Sequence, residues 1–284
     1  MGSAIAQRMQ AENQNVVGWT RSGRTLEGLS TVKNLEKLVV LSDILILSLF
    51  DNKAVENILD EILNFDLKGK QIIETSTVSP KIVIGRVDEF TAKGASIVDA
   101  PISGGPDLVL SGNCAVFIGG NKEAARNAQI SIAPLSSRSF HVGPLGTGLI
   151  MKVINNSMLQ IYVSGLIEMM PLAKKAGLPL ETALNILCGG PAGLPLVADR
   201  IPKILGTDES VGFTNNGTAK DNDVFRQVLK NFDLKSPMLE GFDVQKNLAR
   251  KFDLLERDPA ELIRAAYQNS YSLDGSYSSA KSKT

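Results

Sequence analysis

Short apolar runs alternate with amphipathic stretches through the first half of the 284-residue chain, and this alternation stops near residue 143. Strands separated by helical stretches are typical of βαβ units, which build a parallel sheet with helices on its faces. We therefore predict an α/β fold, a doubly wound parallel sheet, for residues 1–147. The predicted strands are Asn15–Trp19, Leu38–Leu49, Gln71–Thr75, Ala95–Pro101, Cys114–Ile118 and Arg138–Val142.

From Gly148 onward the strand pattern is replaced by helical spacing, which predicts an all-α domain over residues 148–270. Its first helix, Leu149–Ala176, would be about 42 Å long at 1.5 Å per residue. A helix of that length is typical of a spine between domains, and its apolar faces often serve dimerisation. We expect a homodimer or homotetramer. Residues 271–284 are rich in Ser and Lys, and we predict a flexible tail.

The amino-acid composition limits the kinds of molecule that the chain is expected to bind. The 30 basic and 30 acidic residues cancel, so no overall field draws the chain to nucleic acid or to an anionic membrane. Ser42 and Asp43 interrupt the longest apolar stretch, which is shorter than the roughly 20 residues of a membrane span. The two cysteines and the one histidine favour a reducing compartment such as the cytoplasm, and they argue against a metal site.

The opening segment, MGSAIAQ, precedes a strand end by about twenty residues. This is the spacing between the last glycine of a G-x-G-x-x-G phosphate turn and the residue that contacts the adenosine ribose. Gly2 would be that glycine, and Thr20, Arg21 and Ser22 follow the strand. An arginine there pairs with the 2′-phosphate of NADP, whereas a carboxylate favours NAD. Arg21 thus indicates NADP, unless it is simply a solvated loop residue.

Two further strand ends carry polar residues that precede helices. Leu49 and Phe50 end one strand in ILSLFDNKAV, and Thr77 follows another in ETSTVSP. In a doubly wound sheet a cofactor crosses this carboxyl edge. The same residues would equally serve as helix N-caps.

Two later segments place chemically useful groups together. Ser103, Gly104 and Gly105 follow a strand directly, and paired glycines let backbone amides approach an anion. Lys152 and Asn156 are spaced i, i+4 and share one face of the predicted long helix. Lysines on helices are normally solvated, but this one has apolar neighbours in sequence. We expect such surroundings to bring its pKa towards the range useful for proton transfer.

Taken in order, the segments MGSAIAQ, WTRS, ETSTVSP, DAPISGG, GTGLIMKVINN and FTNNGTAKDN resemble the β-hydroxyacid dehydrogenase family. The resemblance runs from Gly2 to about residue 270. It implies a Rossmann-type domain, a helical domain and hydride transfer between a nicotinamide cofactor and a small hydroxy acid or aldehyde acid.

The resemblance also assigns roles to residues. Lys152 matches the catalytic lysine, Asn156 the asparagine that holds lysine and substrate, and Ser103 with the amides of Gly104 and Gly105 the loop that grips the substrate carboxylate. The cofactor-binding positions are Gly2, Thr20, Arg21, Ser22, Leu49, Phe50, Thr77 and Lys220, of which Arg21 resembles the NADP-selective version. No metal is implied.

Family members begin with a strand and the turn G-x-G-x-M-G, whereas this sequence starts at the Met-Gly that closes the turn. We therefore expect the first strand and two phosphate-binding glycines to be missing.

Three hypotheses about the function stay open. The chain is an NADP-dependent reductase of glyoxylate, succinic semialdehyde or tartronate semialdehyde, an NAD-linked 3-hydroxyisobutyrate dehydrogenase, or a non-catalytic assembly module that has lost cofactor affinity.

Overall fold

The computed structural model describes residues 1–25 and 28–269. They form two compact units, Met1–Asn156 and a second that begins at Ser157. The predicted tail, 271–284, lies outside the described residues. Across those described, no helix combines the length and the hydropathy that crossing a lipid bilayer requires.

The first unit is built on a six-stranded sheet. Its order is β3-β4-β5-β7-β6, and β8 pairs with β7. The strands are β3 Ile44–Leu47, β4 Gln71–Glu74, β5 Ser96–Asp99, β6 Ile102–Ser103, β7 Ala115–Gly119 and β8 Arg138–Gly143. β3, β4 and β5 run parallel and in register, so that Leu47, Glu74 and Asp99 end side by side. The loops that follow these three strands therefore leave the sheet at one edge.

The predicted α/β fold is confirmed, but its sheet is mixed and not parallel throughout, since β7 runs antiparallel to both β5 and β6. Residues 104–114 join β6 to β7 and are fewer than the roughly dozen that a parallel crossover needs, so these two strands pair antiparallel. The predicted strand Leu38–Leu49 is also wrong in its first half. Residues there form a helix, and Ser42 and Asp43 separate it from β3.

Helices cover both faces of this sheet and bury two hydrophobic cores. Val39, Val55, Leu59 and Phe90 are fully buried on one side. Ala125 and Ala128 are fully buried on the other. The helices are α1 Gly2–Ala11, α2 Leu35–Leu41, α3 Asn52–Ile62, α4 Pro80–Ile84, α5 Val87–Ala92, α6 Pro106–Leu110 and α7 Lys122–Ser131, followed by a 3₁₀ turn at Ala133–Leu135.

A second, two-stranded sheet stands apart from the first. β1 Val17–Gly18 pairs in parallel with β2 Ser30–Thr31, and in the described residues neither strand pairs with the larger sheet. β1 is shorter than predicted, and β2 was not predicted. A cavity of about 1010 Å³ lies between this small sheet and the larger one, and residues of α1, β1 and β3 line it. The chain thus carries two sheets in its first unit, with an open space between their edges.

The second unit is entirely helical in its described part, as predicted. α8 Thr147–Lys175 begins in the first unit and continues into the second. The other helices are α9 Leu180–Gly189, α10 Pro195–Leu205, α11 Asn215–Lys230, α12 Pro237–Glu240, α13 Phe242–Lys251 and α14 Pro259–Gln268. Leu166 and Ile167 of α8 pack with Leu184, Ile204 and Ile263 in one core.

Candidate functional site

Lys152 lies on the first turns of α8 and is 7% exposed. Its Nζ donates a hydrogen bond to the backbone carbonyl of Ile102 at 2.5 Å. Ile102 begins β6, so this bond joins α8 to the segment after β5. The lysine is therefore held against the sheet edge, whereas surface lysines on helices are usually solvated.

Ser103 and the two asparagines of α8 form a polar cluster next to this bond. The amide nitrogen of Asn155 donates to the Ser103 hydroxyl at 3.0 Å and to Oδ1 of Asn156 at 2.9 Å. The structure thus brings together Lys152, Asn156 and Ser103, three of the predicted site residues. Asn155, which joins the other two polar side chains, was not predicted, although it follows Lys152 by three residues and i, i+3 spacing also places side chains on one helix face.

The two glycines after Ser103 shape the adjoining loop. Gly104 has a φ of +136°, a conformation that favours glycine, and a Cβ there would lie 3.1 Å from Leu108 and 3.3 Å from Cys114. Gly105 is the N-cap of α6, and a Cβ there would meet nothing within 4 Å. Open space and backbone amides at Gly105 are what a bound carboxylate would need.

Asp99 anchors the start of α8. Its Oδ1 accepts a hydrogen bond from Gly146 N at 2.6 Å, and its Oδ2 accepts one from Leu149 N at 2.7 Å. Asp99 is completely buried. Burial raises the pKa of this carboxyl, while the backbone hydrogen bonds pull it down in part.

Glu74 ends β4 beside Asp99 and is also completely buried. Its Oε1 accepts a hydrogen bond from Ser76 N at 2.5 Å, and the Ser76 hydroxyl accepts one from Leu49 N at 2.8 Å. In the described residues its Oε2 has no hydrogen-bond partner. Burial raises the pKa of Glu74 to about 7, with a smaller contribution from the charge of Asp99. Glu74 thereby fixes the loop that carries Thr77.

The predicted cofactor residues of the N-terminal segment meet at the same edge. A Cβ on Gly2 would lie 3.5 Å from Ser48, which directly follows β3. The guanidinium of Arg24 donates to the Ser3 hydroxyl at 3.4 Å, and Thr20 Oγ1 donates to the Arg24 carbonyl at 3.2 Å. Arg24 was not predicted. Its only sequence signal was its place just after the strand end.

The first turn of α1 has no side-chain cap, so its amides and Arg24 form a cluster of hydrogen-bond donors. Such donors suit phosphate oxygens, and the residues present therefore fit the anionic part of a dinucleotide. Arg21 and Ser22 are exposed in the turn after β1.

The remaining predicted cofactor residues lie in three places. Leu49 is half-buried and tied to Ser76, Thr77 is half-buried after β4, and Phe50 is 63% exposed just before α3. Lys220 lies in the second unit on α11, where its Nζ is 2.7 Å from a carboxylate oxygen of Asp221. Among residues 1–25 and 28–269, no three acidic, cysteine or histidine side chains are grouped as metal ligands would be.

Two family models match the chain consecutively. The model for the NAD binding domain of 6-phosphogluconate dehydrogenase matches residues 1–143. The model for the NAD-binding region of NADP-dependent 3-hydroxyisobutyrate dehydrogenase matches residues 146–266. Together they cover both units.

Individual relatives agree with these models. The 2-(hydroxymethyl)glutarate dehydrogenase of Eubacterium barkeri is 29% identical over 57% of this chain, and the match spans only 54% of that enzyme. The NAD-dependent L-serine dehydrogenase of Pseudomonas aeruginosa is 27% identical over 76% of both chains. A solved structure of Psf3 with NADP+ and 2-OPP superposes with a TM-score of 0.83 at 20% identity, over 93% of this chain and 96% of that one, and shows the same fold.

Proposed function

Because the chain belongs to the β-hydroxyacid dehydrogenase family of pyridine-nucleotide-dependent oxidoreductases, we propose that it is an NADP-dependent reductase of small aldehyde acids. The substrate class is that of glyoxylate, succinic semialdehyde and tartronate semialdehyde. The observation that carries the proposal is the buried ammonium of Lys152, held on the Ile102 carbonyl beside Ser103.

The reaction needs a proton and a hydride at the two ends of one carbonyl bond. A bound nicotinamide supplies the hydride. Lys152 Nζ delivers its proton to the carbonyl oxygen, which becomes the hydroxyl of the product, and the neutral amine regains a proton from solvent. The Ser103 hydroxyl and the amides of Gly104 and Gly105 hold the substrate carboxylate, and Asn156 keeps the carbonyl oxygen near Lys152.

The cofactor proposal assigns phosphate binding to the start of α1 and to Arg24, and the 2′-phosphate to Arg21. Leu49, Phe50 and Thr77 would line the cofactor along the sheet edge, with Lys220 contributed by the second unit. Support for NADP comes from Arg21 and from the description of the second matching family model. The L-serine dehydrogenase relative uses NAD, so the cofactor preference needs measurement.

The central test replaces Lys152. We expect Lys152→Ala to lower the rate of aldehyde-dependent NADPH oxidation by about 10²–10⁴-fold, because the general acid is lost. Binding of NADPH, followed by its fluorescence, should change little. Lys175→Ala, an exposed lysine on the same helix, is the matched control and should keep full activity. Undiminished turnover in Lys152→Ala would refute the proposed role.

Two measurements distinguish the proposed NADP-dependent reductase from the two alternative functions. A non-catalytic assembly module predicts that NADPH titration of the 284-residue chain shows no saturable binding. An NAD-linked 3-hydroxyisobutyrate dehydrogenase predicts a higher kcat/KM with NAD than with NADP. Arg21→Ala should weaken binding of NADPH but not of NADH if Arg21 contacts the 2′-phosphate.

Assembly is part of the proposal. α8 exposes large apolar side chains along its length, at Ile154, Met158, Met169 and Leu172. A second copy of the chain covering this surface would give a homodimer or homotetramer in the cytoplasm. Sedimentation analysis should show a species of at least twice the mass of one chain, and a purely monomeric protein would reject this assignment.

A further inference from the structure

We propose that Asp99 is a positioning residue, which sets where α8 presents the ammonium group of Lys152. This inference rests on the proposed function, because it gives Lys152 the role of proton donor. Asp99 itself would touch neither substrate nor cofactor. It would act through the backbone of α8.

Two hydrogen bonds connect the end of β5 and the residues after it to the first turns of α8. Asp99 ends β5, and Ile102 follows three residues later. Leu149 lies in the first turn of α8, and Lys152 follows three residues later. The Asp99 carboxylate binds Leu149 N at 2.7 Å, and Lys152 Nζ binds the Ile102 carbonyl at 2.5 Å. Both bonds join the segment at the end of β5 to the start of α8, so a shift of α8 at the first bond would also move the donor of the second.

The carboxylate accepts hydrogen bonds from Gly146 and Leu149 with two different oxygens, and the amide of Gly148 also bonds to it. Oδ1 accepts from Gly146 N at 2.6 Å, ahead of the helix, and Oδ2 accepts from Leu149 N, within it. Two contacts of this kind fix both the position of the helix start and its rotation about its own axis. The rotation decides which side chain of α8 faces Ile102 and Ser103. A negative charge at this end also complements the helix dipole.

Two glycines let the backbone pack closely around the carboxylate. A Cβ on Gly119 would lie 2.3 Å from Asp99 Oδ1. A Cβ on Gly148 would lie 2.9 Å from Oδ2 and 2.3 Å from the Phe117 carbonyl. These distances are all shorter than the van der Waals contact distance between a Cβ and an oxygen atom. Backbone from β7 and α8 therefore packs directly against the carboxylate, with no room for a side chain at either glycine.

The charge itself calls for an explanation beyond packing. A buried carboxylate loses its hydration, and a well-packed neutral side chain could hold β5 against α8 at a smaller desolvation cost. An asparagine at this position would turn an NH₂ group towards one of the two amide donors. Only a carboxylate accepts both bonds at once, and both are needed to fix the rotation of α8.

The test compares Asp99→Asn with a matched control in the other unit. Asp258 is also buried and accepts a hydrogen bond from Ala260 N in the first turn of α14. We expect Asp99→Asn to lower kcat about 10²-fold, since a displacement of about 1 Å at a reacting group can cost this much. The KM for NADPH should stay within about twofold. Asp258→Asn should lower stability while kcat is retained.

A second readout does not depend on activity. Reductive methylation followed by mass spectrometry measures how readily each lysine reacts. We expect Lys152 to be modified faster in folded Asp99→Asn than in the wild-type chain, with the rate at Lys175 unchanged. Equal rates at Lys152, together with an unchanged kcat, would overturn the positioning role. This readout stays valid even if Lys152→Ala proves active and the proposed function fails.

A third measurement needs no variant, and it covers the case in which Asp99→Asn does not fold. The amide of Leu149 lies in the first turn of a helix, where amides lack intrahelical acceptors and exchange quickly. Held by Asp99, it should exchange with solvent as slowly as amides in the helix interior. Rapid exchange of Leu149 in the wild-type chain would show that the anchor does not hold, and the proposal would fall.

Discussion

The buried carboxylates of the first unit accept hydrogen bonds from backbone amides, whereas those of the second unit lie beside cationic side chains. In the described residues, Glu74 and Asp99 form no ion pair. In the second unit Asp258 lies 2.5 Å from Arg200, and Glu261 lies 2.8 Å from Arg257. The same chemical group is thus held in two ways within one chain.

Buried carboxyl groups therefore have two different roles in the two units. An ion pair satisfies both partners and holds two helices together, as Asp258 and Arg200 join α14 to α10. A buried carboxylate without a cationic partner has a raised pKa, as Glu74 and Asp99 do, and perturbed pKa values cluster at functional sites. Glu74 and Asp99 lie where the predicted catalytic and cofactor residues meet, and their bonds hold the loops that carry those residues.

Crowding the Asp99 carboxylate, which backbone amides hold, should have the largest effect on stability. Gly148→Ala should destabilise the chain by about 3 kcal/mol or more, because the new Cβ would overlap the Phe117 carbonyl and approach Asp99. Gly165→Ala on the same helix meets nothing within 4 Å and should stabilise by about 0.5–1 kcal/mol. Urea unfolding measures both. Similar midpoints for the two variants would show that the region around Asp99 is loosely packed.

The second test removes a cation from the ion-paired unit. Arg200→Ala leaves Asp258 buried without its partner and should cost about 2–3 kcal/mol, less than for a fully buried pair because a quarter of the Arg200 side chain is exposed. Adding Asp258→Asn should restore part of the loss. Thermal unfolding of the single and double variants gives the coupling energy. A double variant no more stable than Arg200→Ala would mean that the pair contributes little.

The third test uses pH. The Glu74 carboxyl titrates at about 7 in the folded chain and at 4.5 when it is unperturbed, so the folded state holds the extra proton between these values. Stability from this group is fully present below pH 4.5 and is lost as pH rises through 7. Between pH 5 and pH 8 the loss should be about 2 kcal/mol.

Glu74→Gln should remove this dependence while leaving the fold intact. Its unfolding free energy should vary less with pH than that of the wild-type chain, and the largest gain should come at alkaline pH. Chemical unfolding at several pH values measures the difference. Parallel curves for the two chains would show that Glu74 titrates normally.

The smallest expected effect compares two hydroxyls that each accept one amide bond. Ser76→Ala frees Leu49 N and also removes the hydrogen bond of the Ser76 side chain to Glu74, whereas Thr214→Ala frees Gly217 N at the start of α11. Each should cost about 1 kcal/mol of stability. Only Ser76→Ala should also weaken NADPH binding, by a few-fold, since Leu49 lies at the predicted cofactor edge. Equal NADPH affinity in both variants would separate Leu49 from the cofactor site.

Much of the fold follows from local patterns. β4, β5, β7 and β8 lie in the predicted apolar runs, and α8 closely matches its predicted span. The antiparallel pairing of β6 and β7 was missed because pairing direction depends on contacts distant in sequence, and a two-residue strand has no periodicity of its own. The run from Leu38 was misread because α2 and β3 are both apolar and only Ser42 and Asp43 separate them.

Fewer residues of the candidate site than elements of the fold could be predicted from the sequence. Lys152 could be singled out from the sequence by its apolar neighbours and by the family motif. Its role as proton donor, like the roles of the other predicted site residues, stays a prediction. Asn155, Arg24, Glu74 and Asp99 were missed. For the two acids the only sequence signal was a carboxylate ending an otherwise apolar strand, and what makes them distinctive is the set of amides that the folded chain brings to them.

The short length of β1 and β2 bears on local opening in the first unit. Each strand has only two residues, and none of these residues is fully buried. Their amides should therefore exchange with solvent at a lower free energy than those of the strands that end at Glu74 and Asp99. Thr20 and Arg21 follow β1 directly, so any ligand that they bind would also slow this opening.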